Sequence, residues 1–66
     1  MTRKDFISFF NTIWSFKLDL EDGLVQELNY IREDAKDMKS KDDYKDLAED
    51  VNILLNEYGY PTIPLN

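Results

Sequence analysis

Apolar side chains recur at intervals of three and four residues in three separate stretches of this chain, and that spacing limits its fold more than any other feature. Phe6, Phe9, Phe10 and Ile13 form the first set, and Leu24, Leu28, Ile31 and Ala35 the second. Tyr44, Leu47, Ala48, Val51, Leu54, Leu55 and Tyr58 form the third. The predicted fold class is therefore all-α, a small three-helix bundle. Thr2 followed by Asp5 reads as an N-cap with its capping box and starts a helix over about residues 3–16. Ile7, Trp14 and Phe16 widen the apolar arc of that helix to about half its circumference. Ser8, Asn11, Thr12 and Ser15 leave the rest polar but uncharged.

Lys17-Leu18-Asp19 reads as a connector, and Asp19 with Asp22, or Asp22 alone, is positioned to cap a second helix over about residues 22–37. Gly23 blurs its start, and Leu20 and Met38 extend its apolar stripe at either end. Ser40 with Asp43 is a second capping-box candidate, and it opens a third helix over about residues 42–58. Gly59 is suited to terminate it. Pro61 and Pro64 each lack an N–H and restrict the residue before them, so the helix cannot run on. Residues 59–66 are expected as an extended tail with a trans Tyr60–Pro61 bond. Ile63 and Leu65 are its candidates for covering apolar surface on the bundle. Residues 1–66 read as a single helical domain without repeats or low-complexity tracts.

A chain of 66 residues buries only about 60% of its unfolded surface, and one such core seldom supplies more than about 3–5 kcal/mol. Four Phe, four Tyr, one Trp and many Leu and Ile nonetheless distinguish it from a disordered acidic chain. It contains neither His nor Cys. That removes the imidazole base, the Ser-His and Cys-His nucleophile pairs, thiolate zinc sites, haem and iron–sulfur ligation, and disulfides. Asp19-Leu20-Glu21-Asp22-Gly23 is a poor calcium loop, since its glycine comes one position early and the closing Glu is absent. Neither an enzyme nor a bound cofactor or metal is expected, because little volume remains for a substrate cavity. No apolar run approaches the roughly 20 residues of a membrane span, and the opening residues lead to no small-residue cleavage site. Cytoplasm is the expected location, in agreement with the missing cysteines.

The net charge of −6 is unevenly spread. Residues 33–50 hold eight of the fourteen acidic residues against four lysines. At 100° per residue, Asp43, Asp46, Asp50 and Glu57 fall within about 60° of one another, away from the apolar stripe. Ile53 sits among them, nearly opposite the centre of that stripe. The second helix repeats the arrangement with Tyr30 among Gln26, Glu33, Asp34 and Asp37. An apolar anchor ringed by carboxylates suits a basic, partly hydrophobic partner surface. The same acids also serve the plainer purpose of keeping a small protein in solution.

The first helix offers the alternative interface. Its seven large apolar residues exceed what one helix of a three-helix bundle usually buries, and its uncharged outer face does not oppose close approach. Core packing under the tail accounts for most of that arc, which leaves Ile7, Asn11 and Trp14 for a partner groove or for self-association. Direct nucleic-acid binding is disfavoured because Arg3, Lys4, Lys17 and Arg32 are scattered and the remaining lysines alternate with acids. An amphipathic membrane anchor is disfavoured as well, since such helices carry Lys or Arg on the polar face. The inverse of nucleic-acid binding fits better. Carboxylates spaced along two helices imitate backbone phosphates and suit the basic channel of a nucleic-acid-binding protein.

With the helices assigned, the segment from Glu33 to Leu47 resembles the central signature of the small YozE-like proteins of Gram-positive bacteria. The matching features are the acidic pair Glu33-Asp34, the turn Lys39-Ser40-Lys41, and Asp43-Tyr44 followed by Asp46-Leu47. Phe6-Ile7-Ser8-Phe9-Phe10 is similar to that family's opening, so the resemblance covers about residues 6–51. It implies a SAM-like bundle of short helices and no defined reaction. The expected function is a non-enzymatic interaction module, a small binder or inhibitor of a basic protein. Tyr30, Glu33, Asp37, Asp43, Asp46, Asp50, Ile53 and Glu57 are its candidate contact residues.

Overall fold

The computed structural model of the protein describes residues 1–65. Among these it has three α-helices and no strand: α1 (Arg3–Trp14), α2 (Asp22–Ala35) and α3 (Lys41–Glu57), with a short 3₁₀ turn at Lys17–Asp19. The last position of the expected tail, Asn66, lies outside the described residues.

Hydrogen bonding at the helix ends explains where each one stops. At the start of α1, Thr2 Oγ1 accepts from the Asp5 N–H at 3.1 Å, and the Asp5 carboxylate accepts from the Thr2 N–H at 3.2 Å. This is the expected capping box, and the Thr2 N–H followed by its hydroxyl holds the Asp5 carboxyl below its ordinary pKa. Helix α1 ends at Trp14 rather than Phe16. The Phe16 N–H turns back to the Ile13 carbonyl, three residues away, which tightens the chain into a 3₁₀ turn and leaves Phe16 59% exposed. Phe16 thus falls outside the apolar arc assigned to it.

Helix α2 departs further from expectation. Its N-cap is Glu21, which makes no side-chain capping bond, and Asp22 is already its first helical residue. The expected aspartate cap is therefore absent. Successive three-residue bonds from Lys36, Asp37 and Met38 unwind the other end, so α2 stops at Ala35 and not Asp37. Helix α3 starts one residue early, at Lys41, because Ser40 is the cap and its Oγ accepts from the Asp43 N–H at 3.1 Å. At its C-terminus Gly59 has φ +81°, the Tyr60 N–H reaches the Leu55 carbonyl and the Gly59 N–H reaches that of Asn56. That pair of bonds is a Schellman motif and accounts for the glycine.

Both α1 and α2 pack on α3. Leu24 and Leu28 of α2 and Val51 of α3 are completely enclosed, each a side chain whose burial is worth about 1.5–3 kcal/mol. Helix α1 contributes Phe6, Phe9, Phe10 and Ile13. Phe6 sits at the centre of an aromatic group, with ring centroids 6.2 Å from Phe9, 5.9 Å from Phe10 and 5.7 Å from Tyr44. The Tyr44 hydroxyl donates to the Met38 carbonyl at 2.8 Å, so this buried ring also pins the turn between α2 and α3. A Cβ at Gly23 would lie 3.0 Å from the Tyr58 hydroxyl oxygen, so a larger residue there would displace the tip of that side chain by a few tenths of an ångström. Burial raises the Tyr58 phenol above its ordinary pKa, and the Glu27 carboxylate adds to the shift.

Residues 60–65 have no regular secondary structure, and the peptide bonds are trans. The Asn52 amide donates to the Ile63 carbonyl and accepts from the Ile63 N–H, both at 2.8 Å. The Tyr60 hydroxyl accepts from the Glu21 N–H at 3.3 Å, which supplies a partner at the uncapped start of α2. Ile63 and Leu65 pack partly buried against the core.

Candidate functional site

The buried positions of α3 form one stripe of Tyr44, Leu47, Ala48, Val51 and Leu55, which turns the opposite side of the helix outward. Asp46, Asp50, Ile53 and Glu57 are exposed on that outer side, and Asp43 is half-buried at its start. Ile53 keeps 56% of its surface in solvent although the core stripe passes two residues away. The ion pair found among the described residues joins Lys36 Nζ to Glu33 at 3.0 Å on α2. The α3 carboxylates therefore have no cation bound to them there. Their charge is directed at solvent around an apolar side chain.

The expected α2 face is assembled differently. Tyr30 is 59% exposed, and its hydroxyl accepts from Gln26 Nε2 at 3.3 Å. Glu33 is already paired with Lys36, and Asp37 lies in the turns beyond the helix. No hydrogen bond, ion pair or shared groove joins Tyr30 to Ile53 among the described residues. The two anchors belong to separate patches, of which the α3 patch is the more completely acidic.

The alternative interface on α1 is divided. Trp14 is half-buried, stacked on Phe10 with ring centroids 5.6 Å apart. Lys17 Nζ lies 5.0 Å from the centre of its ring and the Arg32 guanidinium 5.3 Å, so its π-system already serves two cations. Ile7 and Asn11 remain exposed and line a groove of about 200 Å³ between α1 and α2. Phe6, Phe10, Ala35 and Tyr44 also line it, together with Arg3, Arg32 and Lys36. Three of the eight basic residues in an acidic protein thus converge on one apolar groove.

Those three cations are absent from the contact residues expected from sequence. Arg3 is in one helical row with Ile7 and Asn11, and Arg32 with Lys36 is in another, so each row by itself is visible in residue order. Their meeting across a groove depends on how α1 lies beside α2. A second apolar cleft of about 370 Å³ runs between Ile13, Phe16, Leu20, Leu55, Tyr60 and Ile63. Leu18, in the 3₁₀ turn, is 94% exposed. Among the described residues no group of three or more acidic side chains is arranged to hold a metal ion, and no helix is long and apolar enough to cross a membrane. No protein-family model, curated protein or solved structure matches the chain.

Proposed function

We propose that this chain is a non-enzymatic interaction module of the cytoplasm, a SAM-like three-helix bundle with a proline-containing tail. It presents the outer face of α3 to a basic, partly hydrophobic protein surface. The observation that carries this reading is the exposed Ile53 amid Asp46, Asp50 and Glu57, carboxylates with no bound cation among the described residues. Carboxylates attract the partner over a distance and set its orientation, and Ile53 supplies the desolvated contact that gives such an interface its affinity. A nucleic-acid-binding protein is the partner class that this charge pattern suits best. Its channel is basic because it neutralises phosphates, and acids along a helix occupy the same field. Inhibition by mimicry of nucleic acid follows as the mode of action.

Capture from a cell lysate with the wild type and with Asp43→Asn, Asp46→Asn and Asp50→Asn combined tests this reading. The expected result is a nucleic-acid-binding protein retained by the wild type and lost from the variant, with an unchanged helical circular-dichroism spectrum. Equal retention by both proteins would contradict it. A second reading, an adaptor that works through Ile7 and Asn11, is favoured by the groove between α1 and α2. In that case Ile7→Ser, and not the asparagine variant, removes the captured partner.

A further inference from the structure

The groove between α1 and α2 and the outer face of α3 are complementary in charge, and each has apolar surface among its charges. The groove holds about 200 Å³, below the range of cavities that enclose a drug-sized ligand but suited to receive side chains from a docked helix. Its floor is apolar, with Phe6, Phe10 and Ala35, and Ile7 lies 45% exposed along one wall. Arg3 stands on the α1 side of the rim, and Arg32 and Lys36 stand on the α2 side, Lys36 in an exposed ion pair with Glu33 that a docked carboxylate would have to share or displace. The surface it matches on α3 has Ile53 with Asp46, Asp50 and Glu57 on one side of it around the helix and Glu49 on the other, all exposed. The α1 wall runs from Arg3 to Asn11, about 12 Å of helix, and the acidic row from Asp46 to Glu57 runs about 16 Å, so the row spans the wall and projects beyond it.

We infer that the groove between α1 and α2 docks α3 of a second copy of this chain, with Ile53 on its apolar floor and the carboxylates of α3 against Arg3, Arg32 and Lys36. The inference rests on the proposed reading of the α3 face and names one surface that it meets. The two complementary patches occupy different sides of one molecule, since α3 turns its core stripe, and not Ile53, toward its own α1 and α2. The contact is therefore intermolecular and of the head-to-tail kind. With a net charge of −6 on every copy, association is opposed at long range, so the contact is weak and needs these local cations.

Analytical ultracentrifugation of the purified chain, up to about 1 mM, measures this contact in the range of weak association. The mass is expected to rise above 7.9 kDa with concentration and to fall back when salt is added. Arg3→Glu combined with Lys36→Glu is expected to be monomeric, as is Asp46→Lys combined with Asp50→Lys. Mixing the two variants is expected to restore the wild-type mass, because each reversed surface meets its reversed partner. That rescue separates specific docking from general charge, since both variants keep a net negative charge. Ile53→Ser should also return the wild type to a monomer while the helical spectrum is retained. A wild type that stays monomeric throughout, or association indifferent to these substitutions, overturns the inference. A monomer that still captures a salt-sensitive partner through Asp43, Asp46 and Asp50 overturns it alone and leaves the α3 reading intact.

Discussion

Helices α1 and α3 each leave an isoleucine in solvent, and the two differ in why it is there and in what surrounds it. Ile7 belongs to an aromatic helix whose apolar arc is wider than the bundle covers, so its 45% exposure follows from excess apolar surface. Ile53 lies on the far side of a helix whose apolar stripe is already used up by the core, so packing gives no reason for its 56% exposure. Arg3, Arg32 and Lys36 border the groove beside Ile7, whereas Asp46, Asp50 and Glu57 flank Ile53. An exposed apolar residue therefore has to be read against its own element's stripe. Ile7 is explained by the fold, and Ile53 is the residue on which the proposed α3 contact rests.

The largest expected effect breaks this comparison within a single helix. Leu55→Ala removes a nearly enclosed side chain and should cost about 2–5 kcal/mol, close to the whole stability of a chain this small. Ile53→Ala, two residues away, should change stability by no more than about 0.5 kcal/mol. Thermal unfolding of both variants measures the difference, and equal destabilisation would mean that Ile53 belongs to the core. Next in size is Gly59→Ala, which forces a side chain into φ +81° at the end of α3 and should cost about 1–2 kcal/mol. A loss of that size, read by the same melts, shows that the α3 frame depends on its Schellman motif.

Smaller effects sharpen the basic side of the comparison. Arg32→Ala removes one of the two cations over Trp14 and should cost about 0.5–1 kcal/mol. Tryptophan emission should shift to the red as water reaches the ring. The smallest expected effects are in the pH dependence of unfolding. The raised Tyr58 pKa means that the folded chain holds this proton more tightly than the unfolded one, so its contribution is complete below pH 10.0 and is lost as pH rises through the folded value. Asp5 behaves in the opposite sense. Its lowered pKa gives a contribution present above pH 3.8 that disappears as pH falls through the folded value. Tyr58→Phe should flatten the alkaline arm of a stability profile, and Asp5→Asn should reduce the acid arm.

Much of the framework was legible in residue order because its signals are local. Thr2 with Asp5, Ser40 before Asp43, and Gly59 each act within one turn of the bonds they complete, and apolar periodicity assigned the buried positions of all three helices. The start of helix α2 is not marked locally, because it has no capping side chain and its Glu21 N–H instead donates to the Tyr60 hydroxyl, 39 residues away. Phe16 lies outside the arc that its spacing predicts, since a three-residue hydrogen bond is not marked by residue type. The exposed α3 anchor could be found on a helical wheel. The cationic rim could not, because Arg3 lies on α1 and Arg32 and Lys36 near the end of α2, and only the packed bundle brings them together. Trp14 shows the same limit, as its two cations approach from different segments.

Salt dependence of partner capture tests most directly whether the α3 carboxylates and Ile53 form an interaction face. Raising salt from about 0.1 M to about 1 M shortens the Debye length from roughly 10 Å to roughly 3 Å, which weakens a contact steered by exposed carboxylates. A lysate partner of the wild-type chain, identified by mass spectrometry, is predicted to be retained at the lower concentration and lost at the higher. A partner retained equally at both would contradict the account and move the interaction to the apolar surface of α1.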